Sequence, residues 1–195
     1  MEKKYNMKIN IVLYHPEIAE NTGNIIRSAV GFNAKLHLIK PYGFIFDKKR
    51  IARACVGYFE HLEYEQYDDF DDFLSKNKGK FYYLTRYGHK GVDKIDFKKD
   101  CENEDCYIIL GAENEGIAYD LLKENLEDCY RIPTTDKVRC LNVSNCAAIM
   151  LYLASTALNS KDIIFDHEPD TLKGENFIDN LDLSTLDRHH LEHKQ

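Results

Sequence analysis

Three polar segments carry residue types that do chemistry, and each borders an apolar run. The first is Asn21-Thr22-Gly23-Asn24-Ile25-Ile26-Arg27. The second is Gly111-Ala112-Glu113-Asn114-Glu115-Gly116, and the third is Arg139-Cys140-Leu141-Asn142-Val143-Ser144-Asn145. Amide side chains can donate and accept at once, so they orient hydroxyl groups. A guanidinium places fixed positive charge beside an oxygen nucleophile. Glycine lets the backbone come close to a ligand. A strand that feeds a glycine-containing helix start offers free N–H groups and a positive dipole end. Asn21 and Arg27 stand six residues apart and are read as facing one mouth of a sheet. Each pattern alone is weak. The first also describes a capped helix with one surface arginine, and the third a capped core helix behind a surface loop.

The elements that must position these segments follow from periodicity. Residues 9–14, INIVLY, are β-branched and apolar and read as a buried strand. Asn21 or Thr22 can cap a helix over 21–31, with Ile25, Ile26, Ala29 and Val30 as its apolar face and Gly31 as its stop. Residues 35–40, KLHLIK, alternate as a second strand. The β-α-β order predicts a parallel sheet with a right-handed crossover. Asp47 can cap a short helix over 48–55. Residues 61–67 read as a strand and 68–74 as a short acidic surface helix. Residues 81–85 form another strand, followed by a basic-aromatic loop over 86–91. The charged stretch 94–104 is expected to loop out. Residues 106–110, CYIIL, make the next buried strand and end at Gly111. Ser144 or Asn145 caps a last helix, which is apolar most of the way round from 146 to 157 and must be buried.

Composition sets the outer bounds. With 195 residues, 44% of them apolar, the chain is read as a body over 1–159 and an acidic extension over 160–195. The formal charge of −7 argues against a generally basic nucleic-acid binder. Much of that excess lies in residues 161–195, which hold 4 Lys+Arg against 9 Asp+Glu. The body is near neutral and leaves room for local basic patches. Lys48, Lys49, Arg50 and Arg53 form the densest, read either as a solvated helix face or as phosphate contacts. Six cysteines without a CxxC pair predict reduced thiols and no zinc site. The polar opening residues form no signal segment, and the longest apolar run is too short to span a bilayer. The expectation is a soluble cytoplasmic protein with no metal. In the tail, His189 and His193 flank Glu192 on what reads as a polar terminal helix, without the rest of a metalloprotease pattern.

The three segments, in this order and with Ile132-Pro133 ahead of the third, resemble the TrmH-like branch of the SPOUT superfamily of RNA methyltransferases, which act on ribose 2'-hydroxyls. The resemblance covers roughly residues 8–158. It implies an α/β fold, a parallel sheet flanked by helices, with a C-terminal trefoil knot formed where residues after about 132 thread an earlier loop. It implies a homodimer joined through helices 21–31 and 144–158, and S-adenosyl-L-methionine as methyl donor. It makes Arg27 the residue nearest the chemistry, lowering the hydroxyl pKa by charge, with Asn21 and Asn142 orienting the reacting groups. It places Leu84, Gly111, Glu113, Gly116, Ile132, Cys140, Leu141 and Ser144 around the donor. Lys48, Lys49, Arg50, Arg53, Arg86 and Arg139 are then the RNA contacts. The phrase P-x-G-F-x-x-D-K-K-R over 41–50 looks like the matching region of the wobble-ribose subgroup. That implies the tRNA anticodon stem-loop as partner and cytidine or uridine 34 as target. Another tRNA or rRNA site, or a non-catalytic RNA-binding protein on the same scaffold, are the alternatives. Two residues depart from the family: Ala118 stands where proline is frequent, and Cys140 stands where serine is usual.

Overall fold

A computed structural model describes residues 8–47, 51, 57–158 and 179–182. Lys48, Lys49, Arg50, Arg53, His189 and His193, and the helices expected around them, lie outside the described residues. The chain forms two compact units, Met1–Ser160 and Lys161–Gln195. In the second, only the short turn at 179–182 is described.

Among the described residues, seven strands make one sheet: β1 (Ile9–Tyr14), β2 (Lys35–Ile39), β3 (Tyr64–Tyr67), β4 (Gly79–Leu84), β5 (Lys90–Gly91), β6 (Asp105–Leu110) and β7 (Cys129–Arg131). Their order is β3-β2-β1-β6-β4-β7-β5, and every pairing is parallel. Strands covered on both faces must be apolar on both faces. In the central pair, Ile9 to Leu13 of β1 and Cys106 to Leu110 of β6 are all buried and apolar or aromatic, except the hydrogen-bonded Asn10. The chain winds outward from β1 through β2 to β3, then returns to build the other half on the far side of β1. That reversal leaves a crevice outside the carboxyl ends of β1 and β6, where ligands bind in open α/β sheets.

The helices described in full beside the sheet are α1 (Ala19–Gly31), α2 (Phe70–Lys76), α3 (Phe97–Asp100), α4 (Tyr119–Glu124) and α5 (Val143–Leu158). On one face, Ile25, Ile26 and Ala29 of α1 meet Ala147, Met150, Leu151 and Ala154 of α5 over β1 and β6. On the other, Phe70 and Phe73 of α2 cover Val12, Ile39, Tyr107 and Ile109.

Several local expectations need correction. The stretch 94–104 does not loop out: it folds as a 3-10 turn and then α3, with Phe97 and Cys101 buried under a charged exterior. Asp96 caps α3 by accepting from the Lys99 N–H at 3.2 Å. The helix expected over 68–74 starts at Phe70 because Asp69 caps it, accepting from the Asp72 N–H at 2.8 Å, and it buries two phenylalanines rather than lying on the surface. The first three residues of the strand expected over 61–67 go instead to a 3-10 turn, Tyr58–His61, and its exit.

The second face also holds a buried polar network. Asn10 Nδ2 donates to the Lys8 and Cys106 carbonyls, which turns its Oδ1 toward His37 Nε2 at 2.9 Å. Nε2 therefore carries the ring proton, and Nδ1 accepts from the Tyr67 hydroxyl at 2.8 Å. Tyr67 accepts in turn from Asn77 Nδ2 at 3.1 Å. Burial lowers the His37 pKa from its ordinary 6.5 to about 4, with Lys35 adding to the effect.

Candidate functional site

The carboxyl ends of the central strands open into one cleft of about 1210 Å3. His15, Glu17, Ile18 and Asn21 form the wall that follows β1. Gly111 to Tyr119 form the wall that follows β6, and Leu84 to Tyr87 the wall that follows β4. The segment from Arg131 to Cys146, linking β7 to α5, closes it. Single small-molecule pockets typically measure about 300–1000 Å3, so there is room for two reactants side by side. Charge is divided between the walls. Glu17, Glu113 and Glu115 stand on the β1 and β6 side, and Arg86, Arg131 and Arg139 on the β4 and β7 side.

The glycines of G-x-E-x-x-G shape the β6 wall. Ala112 and Gly116 exchange N–H···O bonds of 3.1 and 2.9 Å, closing a tight loop. A Cβ on Gly111 would fall 2.3 Å from the Gly116 carbonyl carbon, and Gly116 has φ +76°. Both positions thus need glycine. The closed loop aims Glu113 at the start of α1. Its carboxylate accepts from the Glu17 N–H at 2.8 Å, the Ile18 N–H at 3.3 Å and Asn21 Nδ2 at 3.0 Å. Glu113 therefore caps α1 from 92 positions away. Ile18, the residue at the cap position, supplies no side-chain bond, and Asn21 and Thr22 lie inside the helix rather than at its cap.

The acceptor-only carboxylate sets the direction of a relay. Asn21 turns its amide nitrogen to Glu113, so its Oδ1 accepts from Asn142 Nδ2 at 3.0 Å. Asn142 then turns its own Oδ1 to the Ser144 N–H at 2.8 Å and the Ser144 hydroxyl at 2.6 Å. Asn142 is thus the cap of α5, the role expected of Ser144 or Asn145. One run of hydrogen bonds joins all three motifs. Among the described residues, no other acceptor meets the second Nδ2 hydrogen of Asn142, which is exposed at the cleft.

Leu84, Gly111, Glu113, Gly116, Ile132, Cys140 and Leu141 all line the cleft, as do Arg86 and Arg139. Ser144 does not; its hydroxyl is turned to Asn142. Arg27 does not either. It is exposed on α1, with its guanidinium 5.4 Å from the Tyr58 ring centroid. Six residues of α-helix amount to about 600°, which leaves two side chains roughly 120° apart. Asn21 and Arg27 thus do not share a mouth within one chain.

Among the lining residues not expected from the sequence are His15, Tyr87, Tyr119 and Cys146. His15 adopts φ 52°, a left-handed conformation unusual outside glycine, and stacks on Tyr14 at 3.9 Å. Burial lowers its pKa, and Glu115 opposes the shift. Tyr87 and Tyr119 stand exposed at the cleft, and burial pushes the Cys146 thiol in its wall up to about 11. The signal for His15 was its place directly after an apolar strand. For Tyr87 it was the basic-aromatic loop. Among the described residues, no group of three His, Cys, Asp or Glu could hold a metal ion, and no helix is long and apolar enough to cross a membrane.

Residues 8–152 match the model of the SpoU rRNA Methylase family. A Listeria monocytogenes protein carrying the name tRNA (cytidine(34)-2'-O)-methyltransferase is 44% identical over 149 residues, 76% of this chain and 87% of that one. Among solved structures, an RNA methyltransferase from Bacillus anthracis superposes with TM-score 0.75 at 42% identity, covering 81% of this chain and 99% of that one. A structure reported for the 2-OH methylation of C/U34 on tRNA superposes with TM-score 0.71 at 27% identity, covering 80% and 99%. With a family match over most of its length and the three motifs gathered at one cleft, the chain belongs to the SpoU methylase family.

Proposed function

We propose that this protein transfers a methyl group from S-adenosyl-L-methionine to the ribose 2'-hydroxyl of the wobble nucleotide, cytidine or uridine 34, of tRNA. The observation that carries the proposal is the relay from Ser144 through Asn142 and Asn21 to Glu113, set at the cleft. The names of the relatives favour position 34 over another tRNA or rRNA site.

The cleft residues fit the donor. A nucleoside needs apolar walls and backbone polar groups, and Leu84, Ile132 and Leu141 lie beside the backbone turns at Gly111 and Gly116. When bound, S-adenosyl-L-methionine supplies an already activated sulfonium methyl group. The chain must then hold a ribose oxygen in line with that methyl and strengthen it as nucleophile. Asn142, fixed by its bonds to Ser144 and Asn21, offers its remaining amide hydrogen to a ribose oxygen. Arg27 supplies positive charge that favours the ionised hydroxyl, since a guanidinium does not deprotonate in proteins. Arg86 and Arg139, with Lys48, Lys49, Arg50 and Arg53, contact the anticodon stem-loop phosphates.

Because Arg27 stands outside the cleft of its own chain, its catalytic role requires a homodimer in which the Arg27 of one copy serves the cleft of the other. We place α1 and α5 at that interface. Both helices carry exposed residues beside their buried faces, including Tyr152 packed edge-on to Phe32. The C-terminal knot belongs to the same reading. The segment after β7 must cross the ends of β4 and β6 to deliver α5 to β1 and α1, which is the course a threaded segment takes. We place the protein in the cytoplasm, where tRNA is modified.

Mass spectrometry of anticodon-loop fragments, with and without the gene in its own host, tests the function. The expected result is loss of a single 2'-O-methyl mark at position 34. Loss at a different nucleotide would move the target, and an unchanged RNA methylation pattern would remove the enzymatic reading.

A further inference from the structure

We propose that Tyr87 and Tyr119 form a stacking platform for an unpaired RNA base, beside the ribose that is methylated. The inference rests on the RNA-methyltransferase reading above and adds to it a subsite made by these two rings.

The two tyrosines come from different loops. Tyr87 follows β4, and Tyr119 opens α4 after the Gly111–Ile117 loop. They meet edge to face, with ring centroids 5.8 Å apart and planes at 74°. Tyr87 is 46% exposed and Tyr119 68% exposed, yet both line the cleft. Exposed aromatic rings of this size carry a desolvation gain that is not collected until something flat covers them.

Their polar ends are organised. The Arg86 guanidinium lies 4.5 Å from the Tyr87 ring centroid and hydrogen-bonds the Tyr87 hydroxyl. The Tyr87 oxygen accepts from Arg86, and the two tyrosine hydroxyls meet at 3.4 Å, where either can donate to the other. Arg139 acts on both rings through its charge.

Two cations beside two uncovered rings match an unpaired nucleotide: a flat base for the ring, phosphates for the guanidinium groups. A peptide partner would not need both, and a paired duplex would keep its bases out of reach. The carboxyl ends of β4 and β6 place the platform at the same mouth as Asn142, so the base it holds belongs to the target nucleotide or its neighbour.

Stacking contributes affinity without charge, which separates it from phosphate contact. The sequence contains no tryptophan, so Tyr119→Trp introduces a single indole reporter. Titration of that variant with an anticodon-loop hairpin should quench its emission, and a fully paired duplex of equal length should not. Tyr87→Ala combined with Tyr119→Ala should weaken hairpin binding about tenfold. The slope of log affinity against log salt should stay unchanged, whereas Arg86→Ala should lower that slope by about one. Phenylalanine at both positions, which keeps the rings, should restore most of the affinity. S-adenosyl-L-methionine affinity should be the same in all variants.

Hairpin affinity that is unchanged in the double alanine variant, or an indole blind to the hairpin, overturns the platform. If the parent protein still methylates RNA, the functional reading survives that result. If the parent methylates no RNA, the reading fails first, and the direct binding titrations still decide whether the platform holds a base.

Discussion

Glu113 is the residue on which the site turns, and its role differs from its motif's appearance. A carboxylate between two glycines was read as a contact to the donor. Its two oxygens instead receive three donors from the start of α1. Glu113→Gln keeps the shape but presents an amide nitrogen to at least one of those donors. We expect a loss of about 2 kcal/mol of stability and a melting temperature lower by about 5 °C. The same variant should lose turnover, because Asn21 and Asn142 lose the anchor that sets their direction. Calorimetry and single-turnover kinetics on one preparation check both. An unaltered melting temperature would show that the three bonds add nothing. None of this was legible in the sequence, because 92 positions separate donor and acceptor. Asn21 and Asn142 were identified as site residues from their motifs, but not the bond between them. The six-residue spacing to Arg27 was misread for a simpler reason: helical rotation carries the two side chains to different faces.

Among elements, legibility followed length and hydrophobicity. β1, β2, β4 and β6 are five or six residues of mostly apolar or aromatic character, and α5 is apolar almost all round; each was visible within a residue or two. β5 and β7 were not, because two and three residues give no period to read. α3 was hidden because Phe97 and Cys101 are the only buried positions in a charged stretch. His37 on β2 looked like one more strand residue, yet it is the hub of a buried network. Its folded-state pKa, about 4, lies below the ordinary 6.5 of the unfolded chain. The unfolded state therefore binds more protons between those values, so stability present above pH 6.5 is lost as pH falls toward 4. The full loss is about 3 kcal/mol. Urea melts from pH 7 to 4.5 should show this decline in the parent. They should show a flatter profile in His37→Gln, which is less stable at pH 7 but has no proton to gain. Parallel profiles would place the acid sensitivity elsewhere.

At the scale of the molecule, the parallel sheet and its flanking helices were predicted by the β-α-β pattern, while the cleft was not visible until the carboxyl ends of β1, β4, β6 and β7 were seen together. The proposed dimer has a sharp consequence. Arg27→Ala and Asn142→Ala chains should each be nearly inactive alone. Mixed and allowed to exchange, they should recover about a quarter of the parental rate, since half of random dimers are mixed and each keeps one intact cleft. No recovery, with exchange verified by light scattering and mass, would place Arg27 and Asn142 in service of the same cleft or neither.

The relay that binds Asn142 to Asn21 spans 121 positions of chain, and Glu113 reaches back 96 to the Glu17 amide. During synthesis, α1 leaves the ribosome with its first N–H groups unmet and waits for the second half of the protein to supply their acceptor. Until Asn142 has also emerged, no cleft exists in which RNA could be modified. A truncated chain that stops just short of that residue carries all seven described strands yet lacks the Asn142 end of the relay, and is expected to be inactive.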